Sequence, residues 1–167
     1  MSNLTIKGPV LATKVLYDGE EVAENVKISL PAINFLTAEF QALGAMELPL
    51  PLTEALEATI TSIGFDKGFY KLLGLESNNF EFRFVACETK KDGSSKKYGC
   101  KAFIKGVSKG IPGGDVEIGS NHEEDIPIAV TRYQLYIDGK ETILVDKLKN
   151  ILRINGKDYT QEMNSLI

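Results

Sequence analysis

The sequence predicts a mainly β protein built from antiparallel strands, with one short α-helix. Two observations lead to this fold class. Apolar and polar residues alternate with the period of a strand in about eight short stretches, and glycine- or proline-containing turn signals separate them. Only residues 65–73 combine helical spacing of apolar residues with plausible helix ends. Short strands of this kind are typical of an antiparallel sandwich or barrel.

Length and composition limit the possible functions. A chain of 167 residues predicts one domain, residues 1–167, and its apolar content of 43% is ordinary for a soluble globular protein. The net charge of −4 argues against a protein that grips duplex nucleic acid. No apolar run is long enough to span a bilayer, and the first residues lack a secretion signal. Two cysteines, Cys87 and Cys100, are too few for a disulfide scaffold, so we expect buried, reduced thiols in a protein made in the cytoplasm.

The N-terminal region predicts an arm followed by a hairpin. Residues 1–13 show no strong period and contain Gly8-Pro9, which indicates an extended arm. A short apolar run at 14–17 ends at the turn signal Asp18-Gly19. The next alternating stretch, residues 26–30, ends at Pro31 and predicts the partner strand of this first hairpin.

Residues 31–52 are too apolar for a solvent-exposed connection and too long for an ordinary one. The LPLPL sequence at 48–52 cannot occupy the centre of a sheet, because proline donates no hydrogen bond to a neighbouring strand. Two interpretations remain open: a loop packed over its own core, or an inter-subunit loop that buries its apolar residues against a neighbour. The candidate interface residues are Phe40, Leu43, Met46, Leu48, Leu50 and Leu52.

A strand and the helix follow this region. Residues 56–62 alternate between an apolar set, expected to face the core, and a polar set of Glu57, Thr59 and Thr61. The helix predicted at 65–73 has Asp66 as a candidate N-cap and Gly74 as its end.

The middle of the chain predicts a second hairpin. Phe80, Phe82 and Phe84 give the clearest strand pattern, and the charged turn KKDGSSKK leads to a partner strand at 98–107. Two registers remain open. A turn centred on residues 93–94 places Cys87 opposite Cys100, and a turn centred on 92–93 places Val85 there instead.

A third hairpin, residues 131–146, closes the sheet. Tyr133, Leu135 and Ile137 share one face of its first strand, and Asp138-Gly139 fits the two positive-φ positions of a type I′ turn. Its second strand is partly apolar on both faces, which suggests cover from a partner. Residues 147–167 form a C-terminal segment that ends in one predicted helical turn.

The chemistry needed for catalysis is not apparent in the sequence. His122 is the only histidine and is expected to be a solvated loop residue, and no serine or cysteine stands in a nucleophile motif. The acidic run at 123–125 lacks the spacing of a calcium loop, and the glycine-rich stretch 106–115 lacks the order of a phosphate-binding loop. We therefore predict no catalytic, cofactor-binding or metal-binding residues. A monomeric ligand-binding or enzymatic β-sandwich remains the alternative.

Several short motifs occur in a fixed order along the chain. They are Asp18-Gly19, Leu30-Pro31, the LGAM sequence at 43–46, the Glu- and Thr-containing strand 57–61, the YKLLG sequence at 70–74, Phe82-Arg83-Phe84, and the final tyrosine strand with Asp138-Gly139. In this order the chain resembles, from Tyr17 to Tyr159, the major tail tube proteins of contractile-tailed phages and R-type bacteriocins. It departs from them at 43–46, where the family commonly has a run of glycines and this chain has only Gly44.

The resemblance implies a structural protein with the tail-tube fold: two roughly orthogonal antiparallel sheets with a helix at the side. In that family, hexameric rings stack into a hollow tube inside a contractile sheath, and strands of the six subunits join around a lumen. The implied partners are copies of itself, the contractile sheath protein, and baseplate and tail terminator proteins, with DNA only as passing cargo in a phage. The implied locations are the bacterial host cytoplasm during assembly, then a virion tail or a released bacteriocin (tailocin) particle.

The tube interpretation makes Glu57, Thr59 and Thr61 candidates for the lumen wall. This face contains no Lys or Arg, so it would repel or ignore passing phosphates rather than retain them. The alternative is that the face meets bulk solvent or the sheath.

Overall fold

The computed structural model describes residues 5–24, 26–41, 44–64 and 67–167, and these ranges confirm a mainly β protein. The strands in chain order are β1 Thr5–Tyr17, β2 Glu20–Glu24, β3 Lys27–Ser29, β4 Phe35–Gln41, β5 Ala45–Thr53, β6 Leu56–Ile63, β7 Asn78–Lys90, β8 Ser95–Ser108, β9 Glu123–Ile137, β10 Lys140–Asp146, β11 Ile151–Ile154 and β12 Lys157–Asp158. Two short helices lie among them, α1 Lys67–Tyr70 and α2 Gln161–Ser165.

The strands form two antiparallel sheets. The large sheet has the order β12-β11-β10-β9-β8-β7-β1-β2, with β6 added to β9 and β3 added to β6. The small sheet contains only β4 and β5. Among the described strands, β12, β2 and β3 each leave an open edge, so the large sheet does not close into a barrel and the architecture fits a β-sandwich.

Strand β9 holds the large sheet together. One edge pairs with β8, while the other pairs with β6 over residues 123–130 and with β10 over residues 132–137. Its buried positions are even-numbered up to Val130 and odd-numbered from Tyr133, because the register with β8 shifts between Lys105 and Gly106. This β-bulge turns the apolar side of both halves toward the core.

The core lies where β1, β2, β6, β7, β8 and β9 face one another. Its largest fully buried side chains are Phe80, Phe82, Ile60, Leu72, Ile104, Ile126 and Ile128. Most of them occupy the inward positions of a period-two alternation, as the sequence predicts.

Tight turns occur at the predicted places. Asp138 and Gly139 have φ values of 52° and 76°, which confirms the type I′ pair between β9 and β10. Asp18 and Gly19 have values of 49° and 85° between β1 and β2.

The first hairpin differs from its prediction. The partner of β1 is β2, while the predicted partner at residues 26–30 is β3, which pairs with β6 instead. Residues 5–13, predicted as an arm, form the first part of β1 and pair with β7, whereas residues 1–4 lie outside the described ranges. A register shift beside Gly8-Pro9 accommodates the proline and obscures the strand period in the sequence.

The helix and the cysteines also require correction. α1 covers only Lys67–Tyr70, and the proposed N-cap Asp66 lies outside the described residues. Neither predicted cysteine register is right, because Thr89 pairs with Ser95, and this register places Phe84 opposite Cys100 and Lys97 opposite Cys87. Both thiols are free, and burial raises the pKa of the Cys100 thiol.

The bulge generates a stability prediction at Gly106. An added Cβ would lie 2.8 Å from Ile128 Cγ2 and closer still to the Ala129 carbonyl oxygen, so the neighbouring backbone would have to move. We expect Gly106→Ala to lower the free energy of unfolding by about 1–3 kcal/mol, the usual cost of overpacking. Gly99→Ala on the same strand is the matched control, because its Cβ would meet nothing within 4 Å. Urea denaturation of both variants measures the difference, and equal stabilities would contradict the prediction.

Candidate assembly surfaces

The segment predicted as an irregular loop at 31–52 is largely a β-ribbon. β4 and β5 pair with each other and with no other described strand. A two-stranded sheet can contain Pro49 and Pro51 because each of its strands has one free edge, and a proline whose nitrogen faces that edge removes no hydrogen bond. The argument that LPLPL cannot occupy a sheet centre therefore holds, but it does not exclude a strand.

One face of the ribbon is apolar. Phe40 lies opposite Met46 and Ala38 lies opposite Leu48, which places these four side chains on the same side. The side chains of Phe40, Met46 and Leu48 are 45–47% exposed. The opposite side is polar at the corresponding positions, where Glu39 lies across from Glu47. We call the side formed by Ala38, Phe40, Met46 and Leu48 the ribbon face.

The base of the ribbon is fixed to the rest of the protein. The Lys147 ammonium donates hydrogen bonds to Thr53 Oγ1 at 2.8 Å and to the Glu54 carbonyl oxygen at 3.0 Å. Half-buried Leu50 lines a cavity of about 400 Å³ together with Phe35, Pro49, Pro51, Leu152, Ile154 and Tyr159. Leu50 therefore faces its own subunit.

The predicted interface residues divide accordingly. Phe40, Met46, Leu48 and Leu52 are exposed, Leu50 is half-buried at the base, and Leu43 lies outside the described residues. Sequence reasoning missed Leu36, which is 42% exposed on β4.

The three lumen candidates on β6 have different environments. Glu57 is exposed, Thr59 is half-buried and Thr61 is buried, while the alternate positions Leu56, Ala58 and Ile60 point into the core as predicted. Lys109 Nζ lies 2.6 Å from Glu57 Oε2. Lys109, which directly follows β8, therefore adds a cation to this face of β6, and the sequence of β6 alone does not reveal it. Only Glu57 and Thr59 are accessible enough to line a wall.

A polar cluster that the sequence did not predict lies where α1 meets β9. Glu124 is 3% exposed, and its Oε1 accepts hydrogen bonds from the Tyr70 hydroxyl and from His122 Nε2, the latter at 2.7 Å. His122 Nδ1 lies 3.1 Å from the Asp115 carbonyl oxygen. Oε2 of Glu124 has no hydrogen-bond partner among the described residues. His122 is largely buried, so the expectation of a solvated loop residue is wrong.

The contacts in this cluster determine its charge. Both ring nitrogens of His122 face acceptors, so the doubly protonated imidazolium fits best, and the hydrogen bond to Glu124 followed by that to Asp115 raises the pKa of His122. Burial tends to raise the pKa of Glu124, but the hydrogen bonds from Tyr70 and His122 outweigh it and the pKa is lowered. Glu124 occupies an inward position of the alternation that continues to Val130, and this pattern was the available signal for its burial.

The described part of the chain contains neither a cluster of metal ligands nor a membrane-spanning helix. There, no group of three or more His, Cys, Asp or Glu residues could hold a metal ion. Within the same ranges, none of the helices combines the length and apolar character needed to cross a bilayer.

Comparison with models of protein families shows what the chain is similar to. A family model described as phage tail tube protein FII matches residues 10–167. No curated protein matches the chain.

The polar cluster predicts a pH-dependent stability. The pKa of His122 is raised in the folded protein, so its contribution to stability is complete below the ordinary pKa of 6.5. That contribution is lost as the pH rises through the folded-state pKa. The pKa of Glu124 is lowered in the folded protein, so its contribution to stability is present above the ordinary pKa of 4.5. That contribution is lost as the pH falls through the folded-state pKa. The cluster should therefore stabilise the fold most between about pH 4.5 and 6.5.

We expect His122→Gln to lower the melting temperature more at pH 5.5 than at pH 9, where the native imidazole is closer to neutral. His122 is the only histidine, so no other imidazole contributes to the difference. Thermal unfolding of both proteins at the two pH values measures this gap. A difference in melting temperature of the same size at both pH values would count against a charged His122.

Proposed function

The chain belongs to the phage tail tube protein FII family, and we propose that it forms the inner tube of a contractile tail, stacking as hexameric rings into a hollow tube. Membership makes it a structural subunit of a tail tube, found in a virion tail. The contractile sheath, the hexameric ring and the choice between a phage tail and a tailocin belong to the proposal.

The ribbon carries the proposal. A two-stranded hairpin is marginally stable in water by itself, and this one leaves Phe40, Met46 and Leu48 nearly half exposed on one side. Its base is tied to the protein through Lys147, so the ribbon is presented in a fixed direction. A neighbouring subunit that covers the ribbon face would remove this apolar area from water and add support to the two strands.

The edges of the large sheet also favour association of subunits. β2 pairs only with residues 14–17 of β1, so no described strand covers the outer edge of residues 5–13. Val10 and Leu11 in this part are about half exposed. An uncovered edge of this length invites pairing with another strand, and lateral joining of subunits into a closed ring would satisfy it.

The proposed partners follow from a contractile tail. Copies of this chain form the tube, the contractile sheath protein surrounds it, and baseplate and tail terminator proteins cover its ends. DNA passes through the lumen in a phage and is absent in a tailocin. Assembly would take place in the bacterial host cytoplasm.

Catalysis is the weaker alternative. The family is structural, and the carboxylate of the polar cluster around Glu124 is buried, with one oxygen already bonded to Tyr70 and His122. The ligand-binding alternative has a candidate cavity beside Leu50, whose lining is almost entirely apolar and offers few groups that could orient a ligand.

The ribbon face predicts an assembly-deficient variant. Met46→Asp combined with Leu48→Asp places two charges on a surface that must be desolvated, so we expect a folded subunit that forms no tubes. Both side chains are exposed in the subunit, so the circular dichroism spectrum should remain that of the wild type. Negative-stain electron microscopy of the purified proteins distinguishes tubes or rings from single subunits.

The matched control is Gln41→Asp, which adds a charge at an exposed position outside the ribbon face of the same hairpin and should leave tube formation intact. Normal tubes from the double variant would refute the interfacial role of the ribbon face. A wild-type protein that stays monomeric at all concentrations would refute the tube proposal itself.

The β6 face predicts a labelling difference. In a background with Cys87→Ala and Cys100→Ala, Thr59→Cys should react with a bulky thiol reagent in the free subunit and only slowly in long tubes, if Thr59 lines the lumen. A small reagent should label both states, since it can diffuse along the lumen. Equal labelling of subunit and tube by the bulky reagent would place Thr59 on the outside.

A further inference from the structure

We propose that successive subunits stack head to tail through two oppositely charged ends of the large sheet, an inference that rests on the proposed tube function. The basic tip is formed by Lys90, Lys91, Lys96 and Lys97, around the β7–β8 turn. The acidic end is formed by Asp115, Glu117, Glu123 and Asp125, around the β8–β9 connection. The partner of each is the opposite end of a second copy of this chain.

The two ends lie far apart because the same strand joins them. β8 has 14 residues, starting at the basic tip and ending at the β8–β9 connection. At about 3.3 Å per residue, the ends are roughly 45 Å apart, several times the distance over which physiological salt screens charges. They therefore do not neutralise each other within one subunit.

The basic tip retains a net positive charge. Glu88, Asp92 and Asp138 also lie near it, and Lys96 Nζ is 3.6 Å from Asp138 Oδ2. Lys90, Lys91 and Lys97 form no ion pair within the described part of the chain, and all three are exposed. Lys7 lies opposite Glu88 in the register of β1 and β7, which brings one more cation to this end of the sheet.

The acidic end carries an excess of negative charge. Its cations are Lys67 and Lys71 next to α1 and Lys109, which is already paired with Glu57. Asp115, Glu117, Glu123 and Asp125 are exposed and form no ion pair with any described residue. Other carboxylates share this end of the sheet, namely Asp18 and Glu20 at the β1–β2 turn and Glu76 just before β7.

Exposed apolar side chains accompany the acidic charges. Ile111, Val116 and Ile118 lie in the β8–β9 connection, and each is at least 76% exposed. Three large aliphatic side chains in one loop of a subunit indicate a surface that is covered in the assembly. Charge would direct the approach of the next subunit, and burial of these side chains would stabilise the contact.

The arrangement of the ends specifies how two copies meet. A symmetric pair would bring like charges together, whereas head-to-tail contact brings the basic tip of one copy to the acidic end of the next. A contact between two different surfaces does not close on itself when the copies continue in one direction, so it produces a filament. Nucleic acid is disfavoured as the occupant of the basic tip, because the chain has a net charge of −4 and carboxylates flank these lysines.

Charge reversal tests the pairing. A tip variant carries Lys90→Glu, Lys91→Glu and Lys97→Glu, a loop variant carries Glu117→Lys, Glu123→Lys and Asp125→Lys, and a combined variant carries all six changes. All positions are exposed, so circular dichroism and melting temperature should match the wild type. We expect tube growth, followed by light scattering and electron microscopy, to fall at least tenfold in the tip and loop variants and to recover in the combined variant.

The control variant, Lys149→Glu with Glu162→Lys, changes exposed charges in the β10–β11 connection and in α2, which belong to neither charged cluster, and should assemble like the wild type. Raising the salt concentration should slow wild-type growth and partly restore the two single-end variants, because it screens both attraction and repulsion. Wild-type growth of both single-end variants would overturn the inference while leaving the tube function intact. Loss of growth in both, with no recovery in the combined variant, would also overturn the pairing. Failure of the wild type to form tubes would instead contradict the proposed function.

Discussion

The fold depends on one strand that satisfies two sets of neighbours. β9 pairs with β8 on one edge and is shared by β6 and β10 on the other, so its inward side chains must serve two parts of the core. Without the bulge, Tyr133 and Leu135 would point to the opposite face from Ile126 and Ile128. Gly106 makes the bulge possible, because the backbone of β9 approaches it more closely than any side chain would permit. This single register shift therefore determines which residues become surface and which become core.

Sequence reasoning succeeded where a structural choice depends on adjacent residues. Asp138-Gly139 specifies its turn, and Phe80 and Phe82 specify their strand, through local geometry alone. It failed where the choice depends on distant pairing. Residues 20–24 contain three glutamates and show little alternation, so the more regular stretch at 26–30 was assigned as the partner of β1. The length of the 90–94 turn, which sets the cysteine register, was not determined by its composition.

The candidate surfaces were predictable to a similar extent. The composition of residues 31–52 left open whether they pack over their own core or against a neighbour, and their arrangement on one side of a ribbon required the pairing of Phe40 with Met46. The burial of His122 was not predictable, because Tyr70 and Glu124 are 54 residues apart in the chain and meet only in the folded protein. The cation beside Glu57 was missed for the same reason, since Lys109 is 52 residues away.

The two surfaces would contribute differently to assembly. Burial of the ribbon face depends on apolar area and changes little with ionic strength, so it would supply most of the stability of a contact between subunits. The charged ends contribute less, because exposed ion pairs are individually weak. They do impose direction, since only one orientation brings unlike charges together. A long tube requires both properties: an apolar contact alone permits several arrangements, and charge alone would dissociate in salt. The ribbon face lies on the small sheet and the charged ends lie on the large sheet, so each surface can be changed without altering the other.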